Sequence, residues 1–452
     1  MHNTFDIFVL CATLLGSLIF KKVLSPRARN YMVPLALSYY LLVIVVIGSV
    51  GTAGLAHFLF TSMNFVPVMI MCDGLNSEEW RGNGVWKAFL VFYVYMTLIG
   101  LTGFLPVSCT TFYLQSFLNT FASGYFVARW VCRTEGGLKK LLIPLTVVGC
   151  IAVFNYVRNQ GFLTSDLDQA GRIDVSEFND DENFINVNGV ALRISAIVPF
   201  LLLAFRFISR PIIFKYFALA SMVILGLLLI RTGSRNGALV LIPLGWYYLH
   251  SGRRGGVQLK YMISLFVLGV VFAVGVLVTN KGVDTVRAFD FKGRSQTDYY
   301  SSVMDTMTTG RWSMYMHNLE QFSSLEIVFG KGGLNSHYTS RGVRIVRFRG
   351  ANAHSIYMTI FYRTGIVGVM LFVIFLFAFW MQAKRLGARG NMAKFLLLVW
   401  LLTGLGESWG MNGGATAILA GFAIGLLSRK PATNSEFGEF APPYDYYWNM
   451  RA

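Results

Sequence analysis

The sequence predicts an all-α polytopic membrane protein with roughly 12 to 13 transmembrane helices and one large, partly helical loop on the outer side. Hydrophobic residues make up 55% of the 452-residue chain and charged residues only 13%, whereas soluble domains carry about 25% charged residues. Apolar runs recur from one end of the chain to the other, and short basic segments separate many of them. Both features are typical of a chain that crosses a bilayer many times.

Each predicted span is an apolar run that approaches the length needed to cross the hydrocarbon core, about 20 residues. No soluble domain interrupts the series, so residues 1–452 are predicted to form a single integral membrane domain. The runs are 5–20, 31–50, 58–71, 88–104, 112–131, 141–157, 190–207, 216–230, 238–249, 261–278, 356–380, 395–405 and 415–427.

Positive charge predicts the orientation of these spans. Lys and Arg collect in short cytoplasmic loops of membrane proteins, and such loops occur here around residues 21–29, 133–140, 210–215, 253–260, 384–394 and 429–430. The loop 279–353 then faces outward, and its helical spacing near residues 309–322 predicts helices lying on the outer membrane face. The polar tail 431–452 is predicted to be cytoplasmic. Because topology explains the net charge of +17, no nucleic acid partner is expected.

Two arginines lie in a tight turn between outward span ends. The segment from Arg231 to Leu239 reads RTGSRNGAL, and its small residues allow a ligand to approach the backbone. The guanidinium groups of Arg231 and Arg235 match phosphate oxygens bidentately. The alternative is that both arginines only extend toward lipid headgroups. However, Lys and Arg in short loops are normally concentrated on the cytoplasmic side, and this turn is predicted to face outward.

Further arginines are predicted at the same membrane face. Arg311 follows a glycine in the long outward loop, and Arg193 lies about one helical turn inside a span. Arg347 and Arg349 end the loop just before the next span. We interpret these residues as candidates for binding a diphosphate or an acceptor, the alternative being ordinary solvent-exposed or interfacial arginines.

His354 stands at the outer mouth of the 356–380 span. Histidine is the side chain whose ordinary pKa allows proton exchange near neutral pH, so His354 is the candidate general base. The alternative is a histidine that anchors a helix end at the interface.

The residues predict no metal site and no cofactor. Seven acidic residues lie between 166 and 182 without the spacing of a calcium-binding loop, and they are interpreted as a solvated surface. The five cysteines form no CxxC pair and the histidines show no metal-ligand spacing. Arginines without a metal cage favour direct neutralisation of a diphosphate leaving group.

The order of these motifs resembles the O-antigen ligase and polymerase superfamily of bacterial inner-membrane glycosyltransferases. Its elements are matched from Asn186 onward by N-x-N-G-x-A at 186–191, R-x3-L at 235–239, G-R-x3-Y at 310–315, F-G-x-G at 329–332 and H-x10-G at 354–365. Two departures are Val187, where proline is usual in the family, and Arg363, where many relatives have glutamate.

The resemblance implies a metal-independent, inverting transferase in the bacterial inner membrane with a periplasmic active face. Its expected donor is a glycan on undecaprenyl diphosphate, with His354, Arg235 and Arg311 as catalytic residues. Arg231, Arg193, Arg347 and Arg349 are expected to bind the diphosphate or the acceptor. The bilayer and other proteins of polysaccharide assembly are the remaining expected partners.

Three functions stay open at this point. A polymerase, whose acceptor is another lipid-linked glycan, is preferred because polymerases are the more divergent members of this superfamily. A ligase would transfer the glycan to lipid A–core. A flippase or other transporter of lipid-linked oligosaccharides would carry polar groups at the membrane midplane, and Arg363 inside its span is the residue that favours it.

Overall fold

The structure is a computed structural model. It describes residues 15, 19, 22–23, 25–45, 66–67, 70, 83–102, 114–159, 187–232, 234–250, 315, 319–320, 322–332, 355–405 and 415–427.

Every long element in these residues is a helix, and we number the α-helices in chain order. A π-helical turn, Leu118–Ala122, precedes α3, and another, Asn155–Asn159, follows α4. The helices are α1 Pro26–Val45, α2 Gly84–Thr102, α3 Ser123–Arg133, α4 Gly137–Phe154, α5 Val187–Phe207, α6 Ile212–Arg231, α7 Arg235–His250, α8 Ser324–Phe329, α9 Ile356–Lys384, α10 Gly387–Thr403 and α11 Ala417–Leu426.

The predicted all-α membrane fold is confirmed. Four described helices are long and apolar enough to cross a membrane: Gly137–Arg158, Asn188–Phe207, Ile212–Arg231 and Ile356–Lys384. Each predicted apolar run that falls on the described residues coincides with a helix, whereas the runs 5–20, 58–71 and 261–278 lie largely outside them. Helices suit a bilayer because each backbone polar group finds its partner within the same segment.

Aromatic side chains fill the centre of the bundle. Phe89 of α2 packs against Phe375 of α9 with ring centroids 5.1 Å apart, and Phe92 packs against Phe372 at 5.4 Å. Residue numbers fall on α9 as they rise on α2, so the two helices are antiparallel. Trp86 stacks on Tyr125 at 4.0 Å, which extends this cluster onto α3.

α3 and α11 approach each other through glycines. A Cβ atom built on Gly421 would collide with the carbonyl of Phe121, and one on Gly425 with that of Tyr125. These glycines form a G-x-x-x-G pattern, which allows close helix packing in membranes. Residue numbers rise together along both helices, so α3 and α11 are parallel.

The relative directions of the helices bring the predicted functional segments to one end of the bundle. Arg389 near the start of α10 lies 3.9 Å from the sulfur of Cys132 near the end of α3, where α4 also begins. The ends of α4 and α10 therefore lie at the other end of the bundle, and Tyr156 after α4 adjoins the start of α5, beside which α7 begins. The amide of Ile356 at the start of α9 donates to the carbonyl of Gly404 after α10, at 2.7 Å. The start of α7, the start of α9 and the end of α10 therefore share one end, which we call the site end.

The opposite end carries a concentration of positive charge. Gln382 of α9 donates to the carbonyl of Leu427 after α11 at 3.4 Å, and Arg389 of α10 lies 3.9 Å from the sulfur of Cys132 in α3. These contacts join the end of α9, the start of α10 and the ends of α3 and α11. We call this the basic end because its turns hold Arg133, Lys139, Lys140, Lys384 and Arg385.

Candidate functional site

Three helix termini that carry predicted arginines meet at the site end. Gly237 in the first turn of α7 lies close to two other helices, because a Cβ there would be 3.2 Å from the Cβ of Ala191 and 3.2 Å from the side chain of Leu229, both tighter than an ordinary contact. This close approach joins the start of α5, the end of α6 and the start of α7. The NxNGxA and RxxxL segments are thus neighbours in space.

The hydroxyl of Thr232 orders the backbone of the turn between α6 and α7. Thr232 donates from Oγ1 to the carbonyl of Leu229 at 2.7 Å and accepts from the amide of Ser234 at 3.3 Å. Thr232 and Ser234 are buried, and Arg231 in the last turn of α6 is half-buried. The turn therefore presents Arg231 and the start of α7, at Arg235, at a defined position.

Arg193 lies on the same side of the bundle. It is half-buried in α5, nearly two turns from the start of that helix, and Tyr156 in the π-helical turn after α4 is its electrostatic neighbour. The phenol of Tyr156 donates to the carbonyl of Val45 at the end of α1. Arg193 therefore borders the junction of α1, α4 and α5, near the arginine-bearing turn.

The second feature of the site is a break within α9. Gly365 has φ 60° and ψ −161°, which divides α9 into a short N-terminal segment and a long C-terminal one. Such a conformation is essentially restricted to glycine. A broken helix within a membrane is tolerated only where the protein, a cavity or water satisfies its freed carbonyls.

Donors from other parts of the protein form hydrogen bonds with the carbonyls of three successive residues at the break. The amides of Lys331 and Gly332 donate to the carbonyls of Tyr362 and Arg363 at 2.8 and 3.0 Å. The hydroxyl of Tyr95 in α2 lies 3.4 Å from the carbonyl of Thr364. The loop after α8 thus completes the hydrogen bonding of the broken helix.

Glycines make this docking possible. A Cβ on Gly330 would collide with the carbonyl of Arg363, and a Cβ on Gly365 would collide with the carbonyl of Val328. Gly330 also has φ +84°. The glycines of the FGxG and Hx10G motifs are therefore two halves of one backbone contact.

Aromatic side chains extend this contact toward the N-terminal end of α9. Phe322 lies 6.0 Å from Phe361 and 5.5 Å from Tyr362 between ring centroids, and Lys331 lies over the Phe322 ring at 4.4 Å. The hydroxyl of Tyr362 donates to the carbonyl of Tyr315 at 3.1 Å. Tyr315, the last residue of the GRxxxY segment, is thereby tied to the same helix.

Arg363 is buried at the break, with 2% of its surface exposed. It is the position that departs from the glutamate of many relatives. Its backbone carbonyl accepts from Gly332, so the residue is held in place by the FGxG loop.

The start of α9 is fixed independently of the break. Besides the Ile356 to Gly404 bond, the hydroxyl of Tyr357 donates to the carbonyl of Leu401 at 2.8 Å. Ser355, which immediately follows His354 in the chain, is buried at the N-cap of α9. The described residue next to His354 in the chain, Ser355, is therefore fixed beside the end of α10.

Several predicted site residues lie outside the described structure. They are His354, Arg311, Arg347 and Arg349, together with the side chain of Arg235. Their roles stay predictions. Among the residues that the structure does describe, no group of three or more His, Cys, Asp or Glu could hold a metal ion.

A comparison with protein families finds a similarity in the middle and second half of the chain. Residues 220–373 match the family model described as O-Antigen ligase. This match confirms the resemblance of these residues to the O-antigen ligase and polymerase superfamily. No curated protein sequence matches it.

The match includes the α6–α7 turn, α8 with the FGxG loop that packs against α9, and the part of α9 that contains the break. It supports a glycosyltransferase that acts on a lipid-linked glycan and an acceptor, in a multi-pass bacterial membrane protein. Motif order in the sequence detected these segments. It did not detect the contributions of Lys331 and Tyr95, because both act through backbone or hydroxyl contacts made only in the fold.

Proposed function

We propose that this protein is a periplasm-facing polymerase that transfers a glycan from undecaprenyl diphosphate to a sugar hydroxyl of a second lipid-linked glycan. The reaction forms a glycosidic bond, breaks the bond between the anomeric carbon and the diphosphate, and moves the hydroxyl proton to a base. Attack opposite the leaving group inverts the anomeric centre. No metal is required.

The observation that supports this proposal is the gathering of arginine-bearing helix termini at the site end. The start of α5, the α6–α7 turn and the start of α7 touch through Gly237, and the start of α9 lies at the same end. Arginine forks neutralise charge that develops on a diphosphate leaving group. We assign this role to Arg235 and Arg311, with Arg231, Arg193, Arg347 and Arg349 as binding residues for the diphosphate or the acceptor.

The opposite, basic end supports the proposed orientation. Lys and Arg in short loops mark the cytoplasmic side of membrane proteins. With the basic end in the cytoplasm of a bacterial cell, the site end opens to the periplasm of its inner membrane. A lipid-linked donor, rather than a nucleotide sugar, is the activated glycan available there.

The orientation predicts opposite labelling of two introduced cysteines. Ser336 belongs to the outward loop and Gly255 to a basic segment. In a variant without native cysteines, we expect an impermeant thiol reagent to label Ser336→Cys but not Gly255→Cys in intact spheroplasts. The reverse pattern would place the site in the cytoplasm and remove the argument for a lipid-linked donor.

A transporter of lipid-linked glycans is the second candidate, because broken helices are common at transport sites. The break at Gly365 favours this candidate. Against it, the carbonyls of Tyr362, Arg363 and Thr364 accept from Lys331, Gly332 and Tyr95. Carbonyls already paired with protein donors are less available to coordinate a transported ion, so the break is better explained as a structural joint.

The deciding experiment uses the purified full chain, labelled undecaprenyl-diphosphate glycan and a chelator. We expect elongated lipid-linked glycan as product. Transfer only to lipid A–core would make the protein a ligase, strict dependence on added metal would remove the arginine mechanism, and flipping in proteoliposomes without transfer would establish the transporter.

Lysine substitutions test the arginine clamp. Arg235→Lys and Arg311→Lys are each expected to lose most transfer activity while the protein stays inserted, because lysine keeps the charge but not the bidentate fork. Arg210→Lys is the matched control, since Arg210 is exposed in the turn after α5. A loss of activity that merely follows a loss of expressed protein would identify Arg235 and Arg311 as structural residues.

A further inference from the structure

The short helix α8 carries apolar side chains that the described part of the protein leaves exposed. None of its six residues is buried; Leu325 is 72% exposed and Phe329 47%, with Val328 and Ile327 also exposed. Yet its C-terminal end is held tightly by the backbone bonds of Lys331 and Gly332 to α9. A firmly docked element with an exposed apolar surface implies a further contact.

The depth of the docking point identifies this contact. Lys394 of α10 lies 5.0 Å above the Trp380 ring, and tryptophan and extended lysine side chains are typical of the membrane interface. A hydrocarbon core of about 30 Å corresponds to roughly 20 helical residues. Counting outward from Trp380 puts the other boundary near Ile360, so Gly365 lies about 8 Å inside the hydrocarbon.

The two ends of α8 contact α9 at two different depths, one near the boundary at Ile360 and one near Gly365. Phe322, before the helix, packs against Phe361 near that boundary, whereas Gly330, after it, meets the deeper Arg363. The polar groups belong to the shallow end, where the Glu326 carboxylate accepts from the amide of Ser323 at 2.8 Å. This bond lowers the pKa of Glu326, which suits an ionised group at headgroup level.

The exposed side of α9 continues this apolar surface. Beyond the break, Ile366, Met370 and Phe377 project from α9 with large exposed fractions. The spacing of such residues places them on one side of the helix, as in a lipid-facing surface. α8 docks at the outer end of this stretch, directly before Ile366.

We infer that α8 is a re-entrant segment of the outer leaflet, with Leu325, Val328 and Phe329 in contact with lipid acyl chains. The loop 279–353 therefore enters the bilayer at this point instead of lying wholly on its surface. The protein contacts of α8 satisfy its backbone where it meets α9, as membrane depth requires. The inference does not depend on the proposed reaction.

Fluorescence quenching in liposomes tests the inference on the full chain. A bimane label is attached to Leu325→Cys in a background without native cysteines. Met370→Cys is the lipid-facing control, and Glu135→Cys, an exposed position in the turn before α4, is the aqueous control. Quenchers are iodide in the buffer and lipids that carry a nitroxide near the glycerol end of the acyl chain.

At Leu325 we expect strong quenching by the nitroxide lipid and iodide quenching several-fold weaker than at Glu135. Iodide quenching equal to that at Glu135, without lipid quenching, would place α8 in water and overturn the inference. Protection from both quenchers would overturn it too, because a protein surface, such as a second copy of the chain, would then cover the helix.

Discussion

Replacing His354 by alanine is expected to abolish glycan transfer while leaving donor binding largely intact. A sugar hydroxyl is a poor nucleophile at neutral pH, and a base that removes its proton contributes about 10²–10⁴-fold to the rate. The diphosphate already leaves well, and arginines stabilise its charge without a proton donor. Loss of the base should therefore lower the rate constant of transfer far more than it weakens donor binding.

The same role predicts the pH dependence of the wild type. Imidazole acts as a base only when neutral, so transfer should decrease as the pH falls through the titration of His354.

Initial rates and donor binding measured on purified protein check this prediction. His337→Ala is the control, because His337 belongs to the same long loop but to none of the motifs. Turnover by His354→Ala at the wild-type rate would eliminate the proposed base. Equal losses in both histidine variants would indicate damage to the loop rather than to the chemistry.

Gly365→Ala is expected to destabilise the protein and to lose most activity. The conformation at Gly365, with φ 60° and ψ −161°, costs a residue with a Cβ about 1–3 kcal/mol. The added methyl group would also collide with the carbonyl of Val328, which would push the FGxG loop away from α9. The freed carbonyls of Tyr362 and Arg363 would then lose their donors within the membrane.

Thermal unfolding in detergent and the transfer assay measure this effect. Gly245→Ala is the matched control, since Gly245 lies within α7 and the site of its Cβ has nothing within 4 Å. Alanine in a helix is about 1 kcal/mol more favourable than glycine, so this control should unfold no earlier than the wild type. Wild-type stability and activity in Gly365→Ala would show that the docking contact is dispensable.

The sequence predicted the fold class and the superfamily because both depend on features that are visible in the order of residues along the chain. Long apolar runs imply helices, since a bilayer offers no hydrogen-bond partner to an open backbone. The motifs from Asn186 to Gly365 keep their order along the chain, so they were recognisable before their neighbours in space were known. Basic loops predicted an end of the bundle that the fold then assembled from Arg133, Lys384 and Arg385.

Only the tertiary structure decided how those motifs combine. Residues 356–380 read as one continuous apolar span, because glycine is frequent in membrane helices and does not mark a break there. The break at Gly365 becomes evident only in the fold. There Gly330, from another part of the chain, packs against it, and amides of the FGxG loop donate to the carbonyls just before the break. α8 is too short to show a helical period, and its place beside α9 depends on a contact between two backbones that side-chain patterns do not record.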